Sequence, residues 1–328
     1  SASELYEGAE ALNETYSDIN GNYDPEAWGT DDYASAIETL NKAINDYNYS
    51  QSYSEDDPAD YTFLVTAPQF CIEEAEPTVV DGVFNYPNVA NYTNGMQPIS
   101  DFTSENWYKG AFTAGDQRLN YVQQRVCWNA WATSFDEISI NQDITGIPNG
   151  YYSVSADLTT QAGCVTDQRV YAKSALSEAE SVPMNADNVY WMVDAPYEGK
   201  WETLTSAKVM VSDGKLTIGA KGTGDTEHLP TEFGGTNTDH RRGWFCVTNF
   251  KLHYYGPLSE EDTKAAFEKK IAELQAQCDT MAFKADKAAY QDSINKYKTA
   301  SSLDEMNEAL VALAVAPVSY THLTLPTI

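Results

Sequence analysis

The stretch Ile140-Asn-Gln-Asp-Ile-Thr-Gly-Ile-Pro-Asn-Gly-Tyr-Tyr-Ser-Val-Ser-Ala-Asp157 decides how the chain is read. After Gly150, Tyr152, Val154, Ala156 and Leu158 alternate with Ser153, Ser155 and Asp157. A period of two belongs to a β-strand, and this one predicts a buried face and a wetter one. Asn and Gly tolerate positive φ at little cost, so Pro148-Asn-Gly150 supplies a tight turn and predicts an antiparallel hairpin with the strand before it. Asp213-Gly214 repeats the device. Strands are expected at 62–66, 138–144, 151–158, 203–211, 216–220 and 244–255, each bounded by Gly, Pro, Asn or Asp. In the last of these the apolar phase flips between Phe245/Val247 and Phe250/Leu252/Tyr254, which predicts a β-bulge at Thr248–Asn249.

On both sides of this region the period changes to helical. Leu5, Ala9, Leu12, Tyr16 and Ile19, then Tyr33, Ile37, Leu40, Ile44 and Tyr47, predict two amphipathic helices within residues 1–50. Thr30 or Asp31 is the expected N-cap of the second. Residues 51–60, acidic and containing Pro58, read as a linker into a β domain at 61–257. Past Gly256-Pro257, Ser259 is an N-cap with Asp262 three residues on, and the rhythm of 258–316 predicts a three-helix bundle. The N-terminal helices share its rhythm and read as the remnant of a similar bundle. Residues 317–328 differ in texture and read as a non-native tail. The start at Ser1 is read as that of a fragment of a longer protein.

Charge sets the classes of partner. The 328 residues carry 49 Asp and Glu against 20 Lys and Arg, a formal net charge of −29, and residues 1–60 alone hold fifteen acids and one Lys. Such a polyanion is repelled by phosphate backbones and anionic lipid, so neither nucleic acid nor membrane insertion is expected. The five cysteines form no Cys-x-x-Cys pair, and they read as buried thiols or as one disulfide, for instance between Cys127 and Cys246.

The run 140–157, followed by Trp201-Glu-Thr-Leu-Thr, Val209–Ala220 and Gly243–Leu252 in that order, resembles the galactose-binding-like jelly-roll superfamily, which includes many carbohydrate-binding modules. The resemblance covers roughly residues 61–257. It implies an antiparallel β-sandwich jelly roll between amphipathic helical segments, a mainly β fold with flanking α. The flanking helices resemble the small three-helix "found in various architectures" modules of extracellular bacterial proteins. From the resemblance follow a secreted or cell-surface location and a structural calcium site. Where the family often carries an acid this chain has Asn249, which keeps an oxygen without the charge; Glu73 or Glu74 would be the further ligands.

Signatures of hydrolases, zinc proteases, P-loops and dinucleotide folds are missing from the sequence, and its four His are scattered. A sugar site needs other parts: an exposed aromatic platform for the apolar face of a pyranose, and side chains that donate and accept hydrogen bonds. The candidate rings are Trp107, Trp128, Trp131, Tyr190 and Trp191, while Trp201 and Trp244 read as core. The long polar segment 221–243 adds Asn237, His240 and Arg241. Two functions are therefore carried forward. One is a noncatalytic carbohydrate-binding module of a multidomain protein. The other is a structural spacer whose helices dock other protein modules; a hydrolase trails behind both.

Overall fold

A computed structural model describes residues 9–70, 78–80, 83–85, 107–109, 116–122, 125–132, 137–161, 167–184, 189–190, 201–223, 243–281 and 284–314. In chain order its strands are β1 (Ala59–Asp60), β2 (Thr78–Val80), β3 (Val83–Asn85), β4 (Tyr108–Lys109), β5 (Asp116–Val122), β6 (Arg125–Ala132), β7 (Ile138–Thr145), β8 (Gly150–Gln161), β9 (Arg169–Lys173), β10 (Glu178–Glu180), β11 (Val189–Tyr190), β12 (Glu202–Thr205), β13 (Val209–Val211), β14 (Lys215–Gly222) and β15 (Gly243–Tyr254). The helices are α1 (Glu10–Asn22), α2 (Thr30–Tyr49), α3 (Glu260–Thr280), α4 (Lys284–Tyr297) and α5 (Leu303–Ala314).

Two sheets, antiparallel apart from the β11–β8 pairing, enclose one apolar core. The larger runs β11-β8-β15-β6-β5, with β1 on β15 and with β12 and β13 on β8; the smaller runs β10-β9-β14-β7-β4. Trp128, Leu158, Phe245 and Val247 from the first meet Ile138, Ile140, Val170, Leu216 and Ile218 from the second, all at 2 % exposure or less. The predicted bulge is present: the β15–β8 register shifts between Thr248 and Lys251, with Asn249 at φ 55.

Both predicted hairpins are corrected. β7 pairs with β14 and β8 with β15, so Pro148-Asn-Gly150 carries the chain from the smaller sheet to the larger. Asp213-Gly214 carries it back, from β13 on β8 to β14 on β7. The two corners bind each other, Ile147 N–H donating to Gly214 O (3.3 Å) and Gly214 N–H to Asn149 Oδ1 (3.1 Å). Three further expectations change. Residues 62–64 form a 3-10 turn instead of a strand. The stretch 203–211 is two strands, β12 and β13. The N-cap of α2 is Gly29, whose N–H is held by the Asp32 carboxylate at 2.8 Å. The acidic stretch 51–60 is also no free tether, since β1 pairs with β15 and the Tyr53 ring packs on Tyr254 at 5.4 Å.

α3, α4 and α5 share a second apolar cluster around Phe267, Leu274, Cys278, Ile294, Leu310 and Leu313. Ser259 caps α3 as expected, its Oγ accepting from Asp262 N–H at 3.1 Å. The cluster reaches the sandwich through Leu176, and polar bonds fix the junction: Tyr151 OH donates to the Asp262 carboxylate and Asn149 Nδ2 to Asn307 Oδ1 at 3.4 Å. These helices therefore cap the pole where β7, β9 and β13 end. α1 and α2, in contrast, bury no residue. None of the described helices is long and apolar enough to cross a membrane.

Candidate functional site

One row of the five-stranded sheet runs in register through Glu180, Tyr171, Gly219, Asn141 and Tyr108. Val170, Ala172, Ile140, Ile218 and Ala220 are buried in the core, so Tyr171 and Asn141, one residue out of phase with them, lie on the outer surface. Gly219 is what shapes this surface. A Cβ there would meet the Tyr171 ring at 2.7 Å and Ile140 O at 2.5 Å, so the ring lies across β14 where only a glycine leaves room. Asn141 on β7, in register across β14, is the polar side chain nearest in effect to its hydroxyl. Tyr171 is left half-buried, seated on the sheet.

Charged groups surround the ring. Lys221 Nζ stands 5.6 Å from its centroid and pairs with Glu180. Arg169 pairs with Asp167 at 2.7 Å and Glu180 at 3.6 Å, and donates to Ser181 O at 3.1 Å. Lys173 meets Glu178 at 3.2 Å, and Thr217 Oγ1 donates to Asp143 Oδ1 at 2.6 Å. Burial pushes the Tyr171 phenol up to about 12; Asn141 pulls it down, while Glu137, Glu178 and Asp143 push it up. The phenol thus keeps its proton at neutral pH. The Glu180 hydrogen bond raises Lys221, which stays cationic. An aromatic ring ringed by donors and acceptors of both kinds is the inventory that a pyranose requires.

The rings named from sequence divide. Trp107, 1 % exposed, is core: it packs on Phe250 (4.6 Å) and Phe70 (4.9 Å), and its indole N–H donates to Thr66 O at 2.8 Å. Trp128 is 0 % exposed and edge-on to Phe245 at 5.6 Å. Neither offers a stacking platform, because each fills the space between the sheets. Trp131 pairs in register with Trp244 on β15, and Tyr190 with Gln161 on β8, so their backbone positions share the pole opposite the helices; their side chains lie outside the described set. Trp191, Asn237, His240, Arg241, Glu73 and Glu74 lie outside the described residues. Trp201 is half-buried.

At Asn249 the described residues form a hydrogen-bonded set. Its Nδ2 donates to Asp157 Oδ2 at 2.9 Å, its Oδ1 accepts from Gln69 at 3.5 Å, and Thr203 Oγ1 donates to Asp157 Oδ1. These bonds clamp the β-bulge; Glu73 and Glu74, the other ligands expected for calcium, lie outside the described residues. Cys127, Cys246 and Cys278 are buried thiols outside any disulfide.

Tyr171 was missed because Arg169-Val-Tyr-Ala-Lys173 shows too short an alternation to read as a strand. The available signal was Gly219, an isolated glycine inside a strand pattern, which marks a close approach.

No family model matches the chain, and no curated protein matches it. Among solved structures it is similar to TmCBM61 in complex with β-1,4-galactotriose, at 14% identity and TM-score 0.31 over 48% of this chain and 92% of that one. It is also similar to the carbohydrate-binding module CBM6cm-2 from Cellvibrio mixtus lichenase 5A in complex with cellotriose, at 11% identity and TM-score 0.28 over 44% of this chain and 89% of that one. A CBM4 structure matches at 13% identity and TM-score 0.27, over 47% of this chain and 91% of that one.

Proposed function

We propose that the chain is a noncatalytic glycan-binding module of a secreted or surface multidomain protein, and that the outer face of the five-stranded sheet takes the sugar. One observation carries the reading: the Tyr171 ring seated on Gly219, with Asn141, Arg169, Glu180 and Lys221 around it. The ring supplies the apolar contact, worth ~1–2 kcal/mol for the area one sugar face covers. Asn141, Arg169 and Glu180 address the hydroxyls. A site of this size implies affinities in the micromolar to millimolar range, strengthened by avidity on a polymer. Trp131, Tyr190 and Trp191 belong to a second candidate rim at the pole away from the helices. Calcium is no part of the proposed sheet-face contact.

The test is retention of the full chain on a broad polysaccharide panel, with calcium and with chelator, beside Tyr171→Ala and Trp191→Ala. Loss of retention in Tyr171→Ala with an unchanged circular dichroism spectrum supports the sheet-face site. Loss only in Trp191→Ala moves the site to the rim. Absence of retention across the panel favours the spacer reading, which already gains from the burial of Trp107 and Trp128.

A further inference from the structure

We infer, on the reading that the outer face of the five-stranded sheet takes the sugar, that this face selects uncharged glycans over uronate and sulfated ones, and that Glu180 sets the choice. Each cation beside the Tyr171 ring already has an acid. Glu180 stands between two of them: its Oε1 pairs with Lys221 Nζ, and its Oε2 lies 3.6 Å from Arg169 Nη1. Arg169 is held a second time by Asp167 at 2.7 Å, and Lys173 is held by Glu178 at 3.2 Å.

The rest of the face offers no cation in exchange. Lys215, also in outward phase on β14, donates to Ala314 O at 3.3 Å at the bundle end. It stands four residues along the strand from Gly219, ~13 Å from the ring's seat. Glu137 and Asp143, which both act on the Tyr171 phenol, form no ion pair among the described residues. Acid is therefore in excess on this face, as it is over the whole chain with its net charge of −29.

Pairing removes net charge but leaves hydrogen-bonding capacity. A carboxylate has more lone pairs, and a guanidinium more N–H groups, than one ion pair occupies. Arg169 commits Nε to Asp167 and Nη1 to Ser181 O, which leaves N–H groups for the oxygen of a sugar hydroxyl. Glu180 has lone pairs left for a hydroxyl proton. A sulfate or uronate needs a cation of its own, and to gain Lys221 or Arg169 it must displace Glu180, which stays beside it as a like charge. The field of the polyanionic chain opposes its approach as well.

Retention of the full chain at low ionic strength tests this, with each neutral polysaccharide of the panel immobilised beside its sulfated derivative. Wild type should be held about tenfold or more weakly by the sulfated polymer, and added salt should narrow the gap. Glu180→Gln keeps the shape of the side chain and frees Lys221, so it should raise retention on the sulfated polymer about tenfold. Glu38→Gln, at an exposed position of α2, makes the same change in net charge outside the face and should bring no such gain. Wild type held by the sulfated polymer as well as by the neutral one, Glu180→Gln without a gain, or an equal gain in Glu38→Gln overturns the inference and leaves the sheet-face site standing. Neutral polymer that still retains Tyr171→Ala, or that never retains wild type, overturns the sheet-face site itself and the selectivity with it.

Discussion

The outer faces of the two sheets carry similar polar sequences and have opposite fates. On the eight-stranded sheet, Ser153, Ser155, Asp157, Thr159, Asn129 and Thr248 are all at most 4 % exposed. Four of them are bonded side chain to side chain, Ser153 to Tyr255 (3.0 Å), Ser155 to His253 (2.8 Å), Asp157 to Asn249 and Thr203, and Asn129 to Cys246 Sγ (3.4 Å), while the Thr159 and Thr248 hydroxyls are buried without a hydrogen bond. On the five-stranded sheet, Arg169, Lys221 and Glu180 keep 28 %, 27 % and 33 % of their side-chain surface, around a ring instead of over a core. Alternation in a strand therefore reports which face is polar, and leaves open which face is wet. The first face is covered, whereas the second keeps its charged groups paired with one another and partly open to solvent.

The sharpest way to break this contrast is to remove one acid from each face. Asp157→Ala strands the Asn249 amide and the Thr203 hydroxyl, and it should cost about 2–3 kcal/mol in urea denaturation. Glu178→Ala, whose partner Lys173 is 58 % exposed, should cost less than ~0.5 kcal/mol. Equal losses would mean that both faces are structural.

Gly219→Ala comes next. Its Cβ collides with Ile140 O, a backbone atom that cannot turn aside, and it lifts the Tyr171 ring from the sheet. A cost of about 1–3 kcal/mol is expected, with glycan retention lost even where the variant folds. Tyr171→Phe refines the point. It keeps the ring but removes the hydroxyl that Asn141 influences, so it should retain more binding than Tyr171→Ala in the same retention assay.

What the sequence made legible follows from this physics. The strands at 138–144, 151–158, 216–220 and 244–255 were readable because the core takes every second side chain, and the phase flip at Thr248–Asn249 located the bulge from the same rule. The corners at Pro148–Gly150 and Asp213–Gly214 were misread because turn residues dictate a reversal without choosing the sheet that receives the next strand. Trp107 and Trp128 were candidate platforms because one sits in a stretch rich in Asn, Gln and Gly and the other precedes the first clear strand, yet each indole fills the gap between the sheets. Tyr171 stayed hidden because its platform is made by Gly219, a residue on another strand.

The smallest expected effect concerns pH and belongs to the buried face. His253 is bonded to Ser155, and burial lowers its pKa below the ordinary 6.5, with Lys251 acting in the same direction and Asp60 against it. The unfolded chain therefore binds this proton more readily than the folded one. The stability that His253 contributes is complete above about pH 6.5 and falls away as the pH drops through that value toward the lower folded pKa. Carboxylates add their own slope, so the measurement is a difference: melting temperatures of wild type and His253→Gln between about pH 8 and pH 5. Wild type should lose more than the variant below pH 6.5. Parallel curves would mean that the imidazole is hydrated in the fold, and that the eight-stranded face is wet at least at its β1 edge, where Asp60 pairs with His253.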